Sequence, residues 1–325
     1  MKSWDFPVEV GRAALRTKPE VIRTPLEHLV PLSRLTGAEV WVKWEDEQVT
    51  GSFKFRGALN KVRLLTREEK KRGVVTASTG NHGLGVSRAC EIEGVRLTLV
   101  LPVHAAEAKV RKLRSFGSEI LFQGESCEKT EAYARQLAGQ TGRVFISPYN
   151  DLDVVYGQGT AGKEIIEDLP GVDALIVPLG GGGLISGTGG YLKSIKPEAL
   201  LYGVEPRNSA FMAASLKAGR IVGIEEKETI ADGVAGGIEP GSVTFSLCRE
   251  FVDDIVLVGE TRIKKAMSGL YEHHQKMIEG AGALALAGLL ERPSSFLGKT
   301  IVLVASGGNI SPEAFRTAVQ SFPVS

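Results

Sequence analysis

A lysine between two aromatic residues has the clearest chemical potential in this sequence. Lys54 lies between Phe53 and Phe55, in a segment that is otherwise rich in small residues. Burial against such neighbours strips water from an amine and lowers its pKa. A neutral amine can attack a carbonyl and form a Schiff base. Lys54 is therefore a candidate nucleophile, although the segment alone is more typical of a surface lysine on an amphipathic helix.

A run of four glycines, Gly180–Gly183, has the composition of an anion site. It follows the apolar run Ala174–Leu179 and precedes a helical pattern that begins near Leu184. Glycine lets successive backbone N–H groups turn toward one ligand, and a helix N-terminus adds free donors and a favourable dipole. The spacing matches neither the dinucleotide-binding fingerprint nor the Walker motif. Because a tight turn needs fewer than four glycines, the run predicts a phosphate site.

Two other polar segments also follow apolar runs. Ser78–Gly83 reads STGNHG, and Ser306–Asn309 reads SGGN. Hydroxyls and free N–H groups at a helix N-terminus suit a carboxylate, and the Asn81 amide can donate to an oxyanion without adding charge. The Ser306 hydroxyl can hydrogen-bond a ring nitrogen without protonating it. Taken singly, each segment is also typical of a helix cap or a glycine turn.

The four segments together match the needs of pyridoxal phosphate (PLP). They supply an amine for its aldehyde, a donor for its phenolate oxygen, a cradle for its phosphate and a partner for its ring nitrogen. The sequence contains no HExxH or GxSxG motif that would favour another chemistry. PLP is therefore the predicted cofactor.

Short apolar runs rich in β-branched residues alternate with helical patterns along the chain. Runs that are apolar on both faces are typical of strands buried in a parallel sheet. The predicted strands are Val74–Ser78, Leu97–Pro102, Glu119–Gln123, Val144–Pro148, Ala174–Leu179, Leu200–Glu205, Asp254–Val258 and Thr300–Ala305. The clearest helical patterns cover Glu128–Leu137, Gln158–Glu167 and Ile263–Ile278. The fold class is therefore α/β, with mostly parallel twisted sheets flanked by helices.

The order of these elements predicts two domains, each with its own parallel sheet. Four strands follow one another between residues 73 and 150, and they predict a small inserted domain on the substrate side. Residues 1–72 and 151–325 then build a larger, cofactor-binding domain. A length of 325 residues suits two domains of this size.

Composition limits the partners of this protein. The formal net charge of +1 argues against a nucleic-acid partner, and no apolar run reaches the length of a membrane span. The N-terminal residues lack the hydrophobic core of a signal peptide. Three scattered cysteines, Cys90, Cys127 and Cys248, fit neither a disulfide framework nor a zinc site, but they do fit a reducing cytosol. The sequence predicts a cytoplasmic enzyme that acts on a small molecule.

With these four segments in this order, the sequence resembles the β-family of PLP enzymes, called fold type II. Within that family it is similar to the serine/threonine dehydratase and serine racemase branch. The shared motifs run in the family's order from Arg23-Thr24-Pro25-Leu26 through SFKFRGA, STGNHG, the four glycines and SGGN. Related cysteine synthases usually carry a threonine-containing phosphate loop, so the glycine run favours the dehydratase branch. The resemblance implies a tryptophan synthase β-like fold.

The resemblance also implies roles for individual residues. Lys54 would form the Schiff base and act as general base, and Thr79 stands where racemases place an acid–base serine. The implied cofactor-binding residues are Phe53, Lys54, Asn81, Gly180, Gly181, Gly182, Gly183, Leu184, Gly233, Glu279 and Ser306. The residues implied to surround the substrate carboxylate are Ser78, Thr79, Asn81 and His82.

The implied activity is removal of water from a β-hydroxy amino acid, L-threonine or L-serine, to give a 2-oxo acid and ammonia. An amino-acid racemase on the same scaffold is the alternative, and a non-catalytic ligand-binding protein is a third hypothesis from another class. The substrate is a small amino acid in the first two cases. Family members are commonly dimers or tetramers, so the resemblance implies a homo-oligomer.

A divalent-cation site found in some family members is not expected here. Glu205 matches the first acidic ligand of that site, and Ser209 could supply its carbonyl ligand. Phe211 stands where the second acid would be. Because hard cations need several oxygen ligands, the sequence predicts no bound metal.

Overall fold

The protein forms two β-sheets with helices packed on them. The structure is a computed structural model, and it describes residues 4–320. The strands are β1 (Leu26–His28), β2 (Glu39–Trp44), β3 (Val74–Ala77), β4 (Leu97–Leu101), β5 (Glu119–Phe122), β6 (Val144–Phe145), β7 (Ala174–Pro178), β8 (Leu200–Pro206), β9 (Asp254–Val258) and β10 (Thr300–Ala305).

The helices lie between these strands in an α/β arrangement. They are α1 (Phe6–Thr17), α2 (Val30–Thr36), α3 (Lys54–Leu64), α4 (Arg67–Arg72), α5 (Asn81–Glu93), α6 (Glu107–Arg114), α7 (Cys127–Thr141), α8 (Leu152–Asp168), α9 (Gly183–Ile195), α10 (Phe211–Ala218), α11 (Val243–Phe251), α12 (Glu260–His274), α13 (Gly280–Glu291) and α14 (Pro312–Val319). Within residues 4–320, none of them has both the length and the apolar character that a membrane span requires.

The larger sheet has six strands in the order β1–β2–β10–β7–β8–β9. All pairings are parallel except the antiparallel pair of β1 and β2 at one edge. Every residue of β7 is buried, and α13 is buried along most of its length. Helices therefore cover both faces of the sheet centre, which explains why these strands are continuously apolar.

The smaller sheet has four parallel strands in the order β5–β4–β3–β6. All four come from residues 74–145, so the sheet lies inside the range predicted for the small inserted domain. The boundaries of the two domains, residues 73–150 for the small one and residues 1–72 plus 151–325 for the large one, stay a prediction. The chain leaves this sheet at Phe145 and enters α8 at Leu152. We call residues 146–150 the crossover.

Four predicted strands end one residue earlier than expected, and two other predicted elements end three or four residues earlier. The strand predicted over Val144–Pro148 is paired only at Val144 and Phe145, because the chain then turns away from the sheet as the crossover. The helix predicted over Ile263–Ile278 ends at His274, where Gln275 takes a left-handed backbone with φ of 55°. A left-handed residue after the last turn stops a helix.

A buried ion network fixes the start of α3, the helix that begins with Lys54. The fully buried Arg56 guanidinium pairs with Glu45 Oε2 at 2.7 Å and with Glu164 Oε1 at 2.7 Å. Lys43 Nζ lies 2.6 Å from Glu164 Oε2. Charges at this depth are held only when each has a partner. The network therefore ties the first turn of α3 to β2 and α8.

Candidate active site

The Lys54 side chain is half-buried at the N-terminus of α3. Its Nζ donates a hydrogen bond to the Pro148 carbonyl at 2.9 Å and lies 5.1 Å from the centre of the Phe53 ring. Burial lowers the pKa of Lys54 to about 8, although the nearby Glu279 carboxylate acts in the opposite direction. A substantial fraction of the amine is therefore neutral near physiological pH, which is the form that can attack an aldehyde.

The SGGN segment lies directly against the segment that carries Lys54. The Phe53 N–H donates to the Ser306 carbonyl at 3.2 Å, and Gly308 N–H donates to the Gly51 carbonyl at 3.0 Å. Ser52 and Gly307 form an isolated antiparallel bridge between the two loops. The structure thus brings Ser306, which is buried, beside the residues around Lys54.

Asn81 and Glu279 meet at the same place from different parts of the fold. Asn81 Nδ2 donates to Glu279 Oε1 at 2.6 Å, and Asn309 Nδ2 donates to Asn81 Oδ1 at 2.7 Å. A Cβ at Gly307 would lie 2.7 Å from Glu279 Oε1, so only glycine fits there. Burial, reinforced by the Asp232 carboxylate, raises the pKa of Glu279 to about 7.

The glycine run connects β7 to α9, as predicted. Gly182 has a φ of +87°, and a Cβ there would lie 3.0 Å from Cys248 Sγ. A Cβ at Gly180 would lie 2.6 Å from the Val234 carbonyl oxygen. The helix begins at Gly183, and Leu184 is buried in its first turn. The first hydrogen bond of the helix is donated by the Ser186 N–H to the Gly182 carbonyl at 2.9 Å. The N–H groups of Gly183, Leu184 and Ile185 therefore have no partner within the helix and can bind an anion.

The STGNHG segment joins β3 to α5. Ser78 Oγ accepts the Gly80 N–H at 3.1 Å, and Thr79 is half-buried. His82 is buried, and its Nε2 lies 3.0 Å from both the Ile146 carbonyl oxygen and Thr76 Oγ1. Burial, together with the charge of Lys54, lowers the pKa of His82 to about 3.

The neutral His82 ring is poorly suited to bind a carboxylate through its imidazole. A carbonyl oxygen can only accept, so Nε2 must donate to Ile146, and Nδ1 is then an acceptor. Two acceptors repel each other. The carboxylate role predicted for His82 therefore fits its backbone N–H in the first turn of α5 better than its side chain.

Gly233 lies beside Glu279, as the resemblance implies. A Cβ at Gly233 would lie 3.1 Å from Ala281 Cβ and 3.7 Å from Glu279 Oε1. The predicted cofactor residues are thus linked in one chain of contacts on the Lys54 side, from Phe53 through Ser306 and Gly307 to Glu279 and Gly233.

Sequence reasoning missed the crossover, which contacts three of the predicted segments. The Ile146 carbonyl accepts from His82, and the Pro148 carbonyl accepts from Lys54. The Tyr149 ring lies so close to Gly181 that a Cβ there would overlap it. One signal was present in the sequence, because Pro148-Tyr149-Asn150 follows a predicted strand, where α/β folds place ligand-contacting loops.

Three buried polar atoms at this site have no hydrogen-bond partner within the described residues. They are Thr50 Oγ1 and Ser52 Oγ, in the segment before Lys54, and His82 Nδ1. Buried polar atoms without partners are rare and often indicate a bound group. Together with the glycine cradle and the lowered pKa of Lys54, they show that the residues present fit PLP: an amine, a polar wall and a phosphate loop.

The Glu205 carboxylate is hydrogen-bonded to the protein backbone. Its two carboxylate oxygens accept the N–H groups of Met212 at 2.9 Å and Ala213 at 2.8 Å. Phe211 is buried beside them. Over residues 4–320, no cluster of three or more His, Cys, Asp and Glu side chains has the arrangement of a metal site.

Comparison with known proteins identifies the class of protein that this fold and site define. The sequence profile of the family described as pyridoxal-phosphate dependent enzyme matches residues 17–307. The chain belongs to this family of PLP-dependent enzymes, and PLP as the predicted cofactor is confirmed.

Curated relatives place the chain more narrowly. The L-threonine ammonia-lyase of Thermotoga maritima is 44% identical over 300 residues, which cover 92% of this chain and 74% of that protein. The catabolic L-threonine dehydratase of Escherichia coli K12 is 40% identical over 313 residues, 95% of each chain. These similarities confirm the predicted PLP-dependent lyase class.

Solved structures give the same result for the fold. The processed form of threonine deaminase isoform 2 from Solanum lycopersicum superposes with a TM-score of 0.93 at 33% identity, covering 98% of this chain and 93% of that one. Maize serine racemase superposes with a TM-score of 0.90 at 33% identity, covering 97% and 96%. The predicted fold type II α/β architecture is confirmed.

Proposed function

We propose that this protein eliminates water from L-threonine or L-serine and releases a 2-oxo acid and ammonia. The observation that carries the proposal is the half-buried Lys54 amine, whose pKa is lowered to about 8 and whose neighbouring loops bear Ser306 and Asn81. Relatives named L-threonine ammonia-lyase and L-threonine dehydratase, at 44% and 40% identity, support this choice of substrate.

The residues of the site have separable tasks in this reaction. When bound, PLP supplies an electron sink for the negative charge that develops at the substrate Cα. Gly180–Gly183 and the N-terminus of α9 would hold its phosphate, Phe53 would pack on its ring and Ser306 would face its ring nitrogen. Lys54 Nζ takes the Cα proton as general base.

The Ser306 hydroxyl favours elimination over transamination. A serine can accept or donate a hydrogen bond at the ring nitrogen, but unlike an acid it does not leave a proton there. The ring nitrogen of bound PLP would therefore stay neutral, and the charge at Cα would remain available to expel the β-hydroxyl group. That group and the proton that Lys54 removes from Cα together make the released water. The Ser78–Gly80 turn and the N–H groups at the start of α5 would bind the substrate carboxylate.

The decisive assay measures 2-oxo acid and ammonia release from L-threonine, L-serine and both diastereomers of 3-hydroxyaspartate. We expect fast release from L-threonine or L-serine and none from the Lys54→Ala variant. Lys71→Ala, which removes an exposed lysine, is the matched control and should keep wild-type rates. Release that persists in Lys54→Ala would refute the role of Lys54.

The structural similarity to maize serine racemase makes racemisation the second candidate. In that reaction Thr79 would act as acid–base on the face of the substrate opposite Lys54. Chiral analysis of unreacted serine from the same assay separates the two activities. D-serine accumulation without 2-oxo acid release would replace the lyase proposal by the racemase.

We also infer a cytoplasmic homo-oligomer, a dimer or a tetramer. Cys90, Cys127 and Cys248 are all free thiols, which supports a reducing compartment. Light scattering coupled to size exclusion measures the assembly, and a monomer at micromolar concentration would contradict this part of the proposal.

A further inference from the structure

The crossover, residues 146–150, is held by Glu239 of the loop before α11 and by the Val243 N–H, which donates to Asn150 Oδ1 at 2.9 Å. Asn150 Nδ2 donates to Glu239 Oε2 at 2.8 Å, and the Glu239 N–H donates to the Tyr149 hydroxyl at 2.9 Å. Glu239 therefore contacts two consecutive crossover residues, one through its carboxylate and one through its backbone. The side chain of Glu239 is 25% exposed, so these bonds are largely shielded from water.

The same carboxylate also reaches the element that packs on the smaller sheet. Arg135 of α7 donates to Glu239 Oε2 at 2.7 Å. The Arg135 guanidinium lies 4.2 Å from the centre of the Phe145 ring, which belongs to the last residue of β6 before the crossover. Glu239 thus joins α7 and the crossover to the loop that follows Gly233.

Two residues of the crossover contact the predicted active site directly. The Pro148 carbonyl accepts the hydrogen bond of Lys54 Nζ, and the Tyr149 ring lies directly over Gly181. On the other side of the glycine run, Thr244 Oγ1 donates to the Gly181 carbonyl at 2.6 Å. The phosphate loop is therefore held between Tyr149 and Thr244, and the crossover sets where both the loop and the Lys54 amine lie.

We propose that Glu239 is a positioning residue, which clamps the crossover and through it orients Lys54 and the glycine run for the lyase reaction. The reaction itself rests on the proposed function, whereas the positions of Lys54 and of the phosphate loop are tested independently by cofactor binding. Glu239 touches neither substrate nor cofactor in this assignment.

The test compares Glu239→Ala with Glu239→Gln and with Glu131→Gln. Glu131 accepts two hydrogen bonds from Arg135 but none from the crossover, so its variant is the matched control. Misplaced reacting groups lose rate steeply, so in Glu239→Ala we expect about tenfold lower kcat and about tenfold weaker PLP binding, with KM changed less than about twofold. Glutamine keeps an oxygen acceptor, so Glu239→Gln should recover most of both losses.

A second readout follows the Lys54 amine in the protein stripped of PLP. The rate of PLP uptake depends on the neutral amine, and its pH midpoint should lie near 8 in the wild type. A loosened crossover admits water, so in Glu239→Ala the midpoint should rise toward the ordinary lysine value of 10.5. Glu279 and His82, the titratable groups that face Lys54, are unchanged in every variant.

The possible results distinguish a role of Glu239 in orienting Lys54 and the glycine run from a role only in the stability of the fold. The proposal would be overturned if Glu239→Ala and Glu131→Gln had the same uptake midpoint, the same PLP affinity and the same kcat. A lower melting temperature of Glu239→Ala alone would not rescue it. If Glu239→Ala does not fold, Tyr149→Phe carries the test, because it removes only the hydroxyl that accepts the Glu239 N–H. It should shift the same three quantities in the same direction, and unchanged values would overturn the proposal.

Failure of the proposed function is recognised separately. A wild-type protein that releases no 2-oxo acid from any substrate refutes the lyase, whereas the PLP affinity and the uptake midpoint of the variants still decide the role of Glu239.

Discussion

The Asn81 side-chain amide donates a hydrogen bond to Glu279 Oε1 across 2.6 Å, joining the first residue of α5 to the residue before α13. The two residues are 198 positions apart in the chain. Asn309 holds the other end of the same amide through Asn81 Oδ1. An amide nitrogen has two hydrogens, so one donor of Asn81 remains for the phenolate oxygen of PLP.

We expect Asn81→Ala to weaken PLP binding by about tenfold or more, because a hydrogen bond to a charged group contributes roughly 1.5–3 kcal/mol. The absorbance maximum of the bound cofactor should also shift, since its phenolate oxygen loses a donor. Titration of the stripped protein with PLP measures both effects. Asn208→Ala, which removes an exposed amide bonded to the Glu228 carbonyl, should leave both unchanged. Wild-type affinity in Asn81→Ala would show that Asn81 does not contact the cofactor.

The glycine run makes a steric prediction. Gly182 has a φ of +87°, and an added methyl group would meet Cys248 Sγ at 3.0 Å. Gly182→Ala should therefore cost about 1–2 kcal/mol of unfolding free energy from backbone strain and also weaken PLP binding. Gly139 lies exposed in α7 with nothing within 4 Å of an added Cβ. Gly139→Ala should instead be neutral or stabilising by up to about 1 kcal/mol. Urea unfolding compares the two, and equal effects would refute the steric argument.

The elements that were predictable from sequence share a local signal. Lys54, Gly180–Gly183 and Ser306 each lie in a loop of small residues next to an apolar run, and the rule that ligands bind at strand ends then places them together. The eight predicted strands were found because most of their residues are apolar, a property that does not depend on the partner strand.

What was missed depends on contacts between distant residues. The tie between Glu239 and Asn150 spans 89 positions, and nothing in either local segment indicates the other. The tautomer of His82 follows from the Ile146 carbonyl, 64 positions away. The early end of α12 depends on Gln275 in a left-handed conformation, which is uncommon for any residue other than glycine or asparagine.

The buried ion network at α3 predicts a large stability effect. Arg56→Met would leave the fully buried Glu45 without its guanidinium partner, and breaking a buried pair in this way costs about 3–5 kcal/mol. Arg12 pairs with Glu9 on the surface, so Arg12→Met should cost less than about 1 kcal/mol. Urea unfolding of the two variants measures the difference. Similar losses in both would mean that burial does not determine the effect.

The burial of the Glu205 carboxyl group predicts how the unfolding free energy of the protein changes with pH. Burial raises the pKa of Glu205 to about 7, although the N–H groups of Met212 and Ala213 act in the opposite direction, and its ordinary value is 4.5. Between these two values the folded protein binds more protons than the unfolded chain, so the contribution of Glu205 to stability is lost as the pH rises.

The wild-type unfolding free energy should therefore fall relative to that of Glu205→Gln from about pH 5 to about pH 8, by on the order of 2–3 kcal/mol. Urea unfolding at a series of pH values measures this difference. Glu250→Gln, at an exposed site, is the matched control, and its difference from the wild type should stay constant with pH. A difference for Glu205→Gln that is also constant would show that this carboxyl group keeps an ordinary pKa in the folded protein, and hence that the N–H groups at the start of α10 fully compensate its burial.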